Sequence, residues 1–165
     1  MELYGNTQEG DGQNNYMMEI EEQREGRNKE TIVNHSYINS GEYKRKFDSI
    51  SNNKELSRII YKISKNMLKH RSGTKYEDMY WIDLDTLNVV AKETTAVVEK
   101  RIVYSVATER KIKKYNNLLT LHTHPDSFPP SIDDLNSNFD HAYTAGIVLY
   151  SCLKFKKILI LILRR

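Results

Sequence analysis

The sequence LLTLHTHPDSFPPSIDD spans residues 118–134 and carries most of the information in this chain. It begins with Leu118-Leu119-Thr120-Leu121, an apolar run typical of a buried strand. Alternate residues of a strand point to the same face, so His122 and His124 are expected to present two imidazoles side by side. An aspartate from the following turn would add a third ligand. Two histidines and a carboxylate, with one position left for water, are typical of a catalytic zinc site.

The second half of this stretch also has a simpler interpretation. Ser131, with an acidic side chain three residues on, is a good helix start, and Pro129-Pro130 would merely shape the loop before it. Helix capping does not account for two histidines on the same face at the end of a strand. A metal accounts for the histidines, the aspartate and the short loop stiffened by three prolines, so we predict a metal site here.

Composition predicts one domain with a polar extension. The chain has 165 residues, of which 39% are hydrophobic and 28% charged. Residues 1–30 are polar and contain four glycines, and burial could hardly offset the cost of ordering such a segment. We therefore predict a weakly ordered N-terminal extension over residues 1–48 and a folded domain over residues 49–165 with a truncated C-terminus.

Charge and cysteine content exclude several classes of protein. The net charge of +3 gives no strong nucleic-acid signal. Cys152 is the only cysteine, so an internal disulfide is excluded and a reducing, cytoplasmic setting is expected. The N-terminus shows no secretory signal, and the longest apolar run, Ile158 to Leu163, is too short to span a bilayer. No membrane association is predicted.

Apolar periodicity predicts an α/β domain with a central mixed sheet and helices on both sides. A long helix should start at Asn52 or Asn53, and Ile158 to Leu163 should form an edge strand. The remaining expected elements are a hairpin of Met79–Asp85 and Val89–Ala91, strands at Val97–Val103 and Ala145–Leu149, and helices at Val106–Tyr115 and from Ser131.

The pattern His-x-His, a short loop, then Ser-x-x-Asp resembles the JAMM motif of the JAB/MPN metalloprotease superfamily. The family pattern includes a glutamate at the start of the hairpin strand beside the site, and Glu77 fits that place, 45 residues before His122. The resemblance covers roughly residues 52–150 and implies a JAB/MPN-like, cytidine-deaminase-like fold. It also implies that His122, His124 and Asp134 bind Zn²⁺.

The same resemblance implies catalytic roles for Glu77 and Ser131. Glu77 would act as the general acid and base that activates the zinc water, and Ser131 would help to stabilise the oxyanion. Other acidic residues compete with Glu77 for its role, namely Glu93, Glu99 and Glu109. Glu77 is preferred because it opens the hairpin strand, whereas Glu93 follows the second strand and Glu109 lies in a predicted helix.

The chain departs from the family pattern at one point. Six residues separate His124 from Ser131, one fewer than the family pattern has. Asp133 therefore remains an alternative metal ligand to Asp134. The shorter loop could also disturb the site, because catalytic constellations tolerate little displacement.

These observations favour a zinc-dependent peptide or isopeptide hydrolase that acts on a protein or peptide substrate. The segment from Tyr43 to Asp83 also looks like JAB-type domains of phage minor head or head-morphogenesis proteins and related toxins. That likeness implies a phage or prophage origin, a bacterial cytoplasm and phage structural proteins as partners. The alternative is a non-catalytic JAB-like structural or interaction module, and a nucleic-acid-associated protein is a third hypothesis, disfavoured by the charge.

Overall fold

The computed structural model describes residues 32–124, 130–152 and 157–164. Its helices are α1 (His35–Ile38), α2 (Gly41–Asp48), α3 (Lys54–Arg71), α4 (Val106–Ile112) and α5 (Ile132–Asp140). Its strands are β1 (Met79–Asp83), β2 (Asn88–Glu93), β3 (Leu118–Thr123), β4 (Ala145–Cys152) and β5 (Lys157–Arg164). No helix in these ranges is both long and apolar enough to cross a membrane.

The strands form one mixed sheet in the order β2-β1-β3-β4-β5. The pairs β1–β2, β1–β3 and β4–β5 are antiparallel, and β3–β4 is parallel. The fold is therefore of the α/β class, as predicted. The expected hairpin is confirmed as β1 and β2, and the expected edge strand is confirmed as β5, which lies at the end of the sheet.

One face of the sheet packs against α1, α2 and α3. The long helix starts with Asn53, whose side-chain oxygen accepts hydrogen bonds from the backbone N–H groups of Glu55 and Leu56, and ends before Gly73, which has a φ of 71°. Its apolar stripe meets strand residues that point to this face, chiefly Leu119 and Leu121. The larger cluster contains Val33, Ile38, Tyr43, Phe47, Leu56, Ile60, Ile63, Met67, Leu68, Ile82, Leu119, Leu121, Ile147 and Leu149.

The folded domain begins earlier than residue 49. Ile38, Tyr43 and Phe47 lie on α1 and α2, and all three are fully buried in the larger cluster. Tyr43 and Phe47 also make an edge-to-face contact, with ring centroids 5.0 Å apart. Residues 33–48, predicted as part of the extension, thus include two helices that pack into the core. These helices have only 4 and 8 residues, so few apolar positions mark them in the sequence. Residues 1–31 lie outside the described residues.

The other face of the sheet carries a smaller cluster and the candidate site. Trp81 is fully buried there and donates a hydrogen bond from Nε1 to the hydroxyl of Tyr143 at 3.0 Å. Helix α4 contributes Ile112 to the same cluster. The cluster is small, so this face has room for a cleft beside β3.

The expected strand over Val97–Val103 is wrong: this segment is irregular. Val97 is 85% exposed and Val98 is 42% exposed. A run of valines favours a strand only where a partner strand and a buried face are available, and the sheet offers neither here.

A buried ion pair joins the end of α3 to the start of β1. Asp78, with a side chain 1% exposed, accepts hydrogen bonds from Arg71 Nε at 2.6 Å and lies 2.8 Å from His70 Nδ1. Arg71 also donates to the carbonyl of Thr94 at 2.7 Å, and Thr123 Oγ1 accepts from the Asp78 N–H at 3.0 Å. These contacts hold Asp78, the residue just before β1, against the end of β3.

Candidate metal centre

Strand β3 brings the two histidines together as the alternation predicts. Leu119 and Leu121 face α3, so His122 lies on the opposite face of the sheet. The rings of His122 and His124 lie 5.0 Å apart between centroids, and their Nε2 atoms are 3.2 Å apart. His122 is 6% exposed. Two imidazole nitrogens thus point to one place on a largely buried surface.

Helix α5 supplies the carboxylate through its capping box. The Ser131 hydroxyl accepts a hydrogen bond from the Asp134 N–H at 3.1 Å, and Asp134 Oδ2 accepts from the Ser131 N–H at 2.6 Å. The same carboxylate faces the histidines, with Oδ1 3.2 Å from His122 Nε2 and Oδ2 3.2 Å from His124 Nε2. The capping and metal interpretations are therefore compatible, because one side chain serves both.

The spacing of these donors suits one tetrahedral ion. Zinc binds histidine nitrogen and carboxylate oxygen at about 2.0–2.2 Å, so neighbouring ligand atoms of a tetrahedral site lie about 3.3 Å apart. The Nε2–Nε2 distance is 3.2 Å, and each Nε2 atom also lies 3.2 Å from a different oxygen of Asp134, Oδ1 for His122 and Oδ2 for His124. His122, His124 and Asp134 form a group whose ligand atoms all lie within 4.8 Å of one another. The donor set and its spacing fit a zinc ion with one open position.

The protonation states of these groups also suit a metal. Burial lowers the pKa of His122 below its usual range, against the opposing effect of the Asp134 carboxylate. Burial would raise the pKa of Asp134, but hydrogen bonds from His122 and His124 outweigh it and lower that pKa well below its ordinary value. A neutral imidazole and an ionised carboxylate are the forms that bind metals.

Glu77 lies in the same cleft as the three ligand candidates. In the β1–β3 register Met79 is opposite His122, and extending this register by two residues places Glu77 opposite His124. The extension is supported by a hydrogen bond from the Thr123 N–H to the Asp78 carbonyl at 3.1 Å. Glu77 is 7% exposed, lines the cleft, and is not one of the three clustered ligands. A buried carboxylate beside a metal site can act as a base.

The competing glutamates have other surroundings. Glu93 accepts hydrogen bonds from the Ser105 N–H and hydroxyl at the start of α4. Burial would raise the pKa of Glu93, but hydrogen bonds from Thr108 and Ser105 outweigh it and lower that pKa. Glu99 is at the surface, where its Oε2 atom lies 3.8 Å from Lys75 Nζ. Glu109 is on α4, as predicted, and lines the cleft, so it is the one competitor close to the site.

The structure brings Asp134, rather than Asp133, to the histidines. Asp133 is exposed, and although it lines the cleft it is not in the three-residue group. Ser131 also lines the cleft, but its hydroxyl lies 2.8 Å from Asp134 Oδ2 and donates to it. Stabilising an oxyanion would require this hydroxyl to turn away from Asp134.

We expect Asp134→Asn to lower zinc affinity by more than about 100-fold and Asp133→Asn to leave it unchanged. Loss of a partner that only orients a ligand already costs about 10–100-fold, so loss of a ligand should cost more. Calorimetric titration of zinc into both variants measures the difference. The Ser131→Ala variant controls for helix capping, since it removes the cap but keeps every ligand. Equal zinc affinity in the two aspartate variants would contradict the assignment.

The cleft has a second wall that the sequence did not reveal. It has a volume of about 1300 Å³ and is also lined by Tyr104, Asn138, His141 and Tyr143. Burial raises the pKa of Tyr104 and that of Tyr143, so both phenols keep their protons. These residues come from a loop, from α5 and its C-cap, and from the chain before β4, and no single local pattern links all four.

Comparisons of the chain with protein-family models, with curated proteins and with solved structures found no match.

Proposed function

We propose that this protein is a zinc-dependent hydrolase of peptide or isopeptide bonds with a JAMM-type centre. The observation that carries the proposal is the convergence of His122, His124 and Asp134, whose nearest donor atoms are 3.2 Å apart, with Glu77 in the same cleft. A donor set of two histidines and one carboxylate leaves one position for water. A purely structural zinc site would have four protein ligands.

Glu77 moves the proton in the proposed reaction. Zinc at this site would lower the pKa of a bound water from 15.7 to about 7 and polarise the carbonyl of the scissile bond. Glu77 accepts the proton of the attacking water and passes it to the nitrogen of the leaving amine, a step worth roughly 10²–10⁴-fold. Negative charge would develop on the carbonyl oxygen of the tetrahedral intermediate. The Ser131 hydroxyl could donate a hydrogen bond to that oxygen once it has turned away from Asp134.

The fold and the origin of the protein form part of the same proposal. The JAB/MPN resemblance implies a particular order of elements: a hairpin, a helix, the histidine strand and a capped helix. The chain has this order as β1, β2, α4, β3 and α5. We propose that the sheet is JAB/MPN-like on this basis. A phage or prophage source, phage structural partners and a bacterial cytoplasm rest on the sequence resemblance alone.

Removal and return of the metal tests the proposal. Purified protein should contain about one zinc per chain, and zinc-loaded protein should cleave members of a peptide library. A chelator should abolish cleavage and added zinc should restore it. Zinc binding without cleavage would support the non-catalytic module instead. Iron(II) oxygenases use the same donor set, so the bound metal must be identified. Finding iron in place of zinc would contradict the metal assignment.

A further inference from the structure

Helix α5 turns its polar side toward the cleft. Asp134, Asn138 and His141 recur at spacings of four and three, and all line the cleft. The apolar residues of the helix are exposed instead: Ile132 is 74% exposed, Leu135 39% and Phe139 61%. Core packing therefore does not explain the inward stripe, because a helix held by burial would turn its apolar side inward.

The proposed metal centre uses neither Asn138 nor His141 of this stripe, and Asn138 is the buried one of the two. It is 5% exposed, and its side-chain oxygen is buried and accepts no hydrogen bond from any residue that the structure describes. A buried amide oxygen without a partner destabilises the fold, and a hydrogen bond from a bound molecule would account for its presence. The amide can turn about its last bond and can present either its oxygen or its nitrogen to the cleft.

Aromatic rings lie beside Asn138 along the cleft. The Tyr104 hydroxyl is 3.3 Å from the hydroxyl of Ser137, the residue that precedes Asn138. The Tyr104 ring lies 5.4 Å from the His141 ring, which stacks on Tyr143 at 5.2 Å with a tilt of 10°. We call Tyr104, His141 and Tyr143 the aromatic wall. His141 is exposed and Tyr104 is partly exposed, so these two rings offer flat surface that can pack against another ring or a large aliphatic group, while Tyr143 is 2% exposed and supports His141 by stacking on it.

The offset between Asp134 and Asn138 along α5 indicates which part of a substrate would reach Asn138. Asn138 follows Asp134 by four residues, about 6 Å along the helix. An extended peptide advances about 3.3 Å per residue, so this distance corresponds to about two residues. A peptide with its scissile bond at the metal centre would bring a backbone amide near Asn138 and a side chain near the aromatic wall.

We propose that Asn138 binds a backbone amide of the substrate about two residues from the scissile bond. The adjacent substrate side chain packs on the aromatic wall, so the preferred substrates are extended peptides with an aromatic or large apolar residue there. This inference rests on the proposed hydrolase function and specifies its substrate class. Asn138 is a substrate-binding residue in this assignment and takes no part in proton transfer.

Peptide cleavage by matched variants tests the assignment. Zinc-loaded wild type, Asn138→Ala and Asn136→Ala are given one mixed decapeptide library, and the cut sites are read by mass spectrometry. Asn136 is an exposed asparagine on the same helix and controls for loss of an amide. The best substrate is then resynthesised with single N-methyl groups at successive backbone nitrogens. Wild type and Asn136→Ala should lose at least about 10-fold in kcat/KM when one of the amides about two residues from the cut is methylated.

We expect the losses caused by Asn138→Ala and by N-methylation of the substrate to be non-additive. Asn138→Ala should lose about as much as wild type loses on methylation and should show little further loss with the methylated peptide. Zinc content and thermal denaturation check that Asn138→Ala is folded, and Asn138→Ser replaces it if it is not. If wild type cleaves peptides but Asn138→Ala matches Asn136→Ala, the inference is overturned while the hydrolase function stands. If zinc-loaded wild type cleaves nothing, the hydrolase function fails and this inference fails with it.

Discussion

Replacing Glu77 with glutamine is expected to lower kcat for peptide hydrolysis by roughly 10²–10⁴-fold, since this is the range that general acid–base catalysis contributes. Zinc should remain bound, because Glu77 is not among the three residues that converge on the candidate site. The substitution keeps the size of the side chain and removes its ability to accept a proton. Single-turnover kinetics on a cleaved peptide, with zinc content measured in the same samples, checks both parts.

Two other glutamates provide matched controls for this variant. Glu99→Gln changes an exposed residue paired with Lys75 and should leave kcat unchanged. Glu109→Gln changes a residue that lines the cleft from α4 and should have a small effect. If Glu109→Gln loses activity while Glu77→Gln keeps it, the base is Glu109 and the register argument is wrong.

Replacing His122 with alanine is expected to remove tight zinc binding and the stability that zinc confers. At a free zinc concentration 1,000 times the dissociation constant, binding to the folded state alone adds about 4.1 kcal/mol to the free energy of unfolding. The variant should lose this increment, because one of its three protein ligands is gone. Thermal denaturation with and without zinc measures it, and chelated wild type gives the metal-free reference.

His35→Ala is the control for the histidine variant. His35 is exposed on α1, outside the three-residue group, so the zinc-dependent rise in stability should be intact. A cavity left by the His122 ring would lower the stability of the variant in both conditions, which the metal-free comparison separates from loss of the ion. A zinc-dependent rise of the same size in His122→Ala and wild type would remove the basis of the proposed function.

Local sequence rules predict the convergence of the three candidate ligands because its parts are local. Alternation along β3 places His122 on the face opposite Leu121, and the N-cap position of Ser131 places Asp134 in the first turn of α5. Choosing between Asp133 and Asp134 needed the structure, because both follow the cap within three residues. The capping box decides it, since the residue at its third position turns back toward the helix start.

Features that join distant segments could not be predicted in this way. The buried pair of Arg71 and Asp78 links the end of α3 to the start of β1, and neither residue has a distinctive local pattern. The aromatic wall draws on three separate segments of the chain. The missed part of the core, Tyr43 and Phe47, sits on a short helix whose burial depends on α3 lying across it. Residues 97–103 show the opposite case. Their valines favour a strand locally, but no neighbouring strand pairs with them, and the segment is irregular.

The double use of Asp134 would tie the order of α5 to metal binding at the candidate site. The carboxylate that caps the helix also faces two imidazoles, and the apolar side of the helix contributes little to holding it on the sheet. A bound cation would thus link α5 to β3 through Asp134 and the two histidines. If the proposed ion binds there, its removal would loosen α5, which forms one side of the cleft, so depletion of the metal would weaken substrate binding as well as catalysis in the proposed hydrolase.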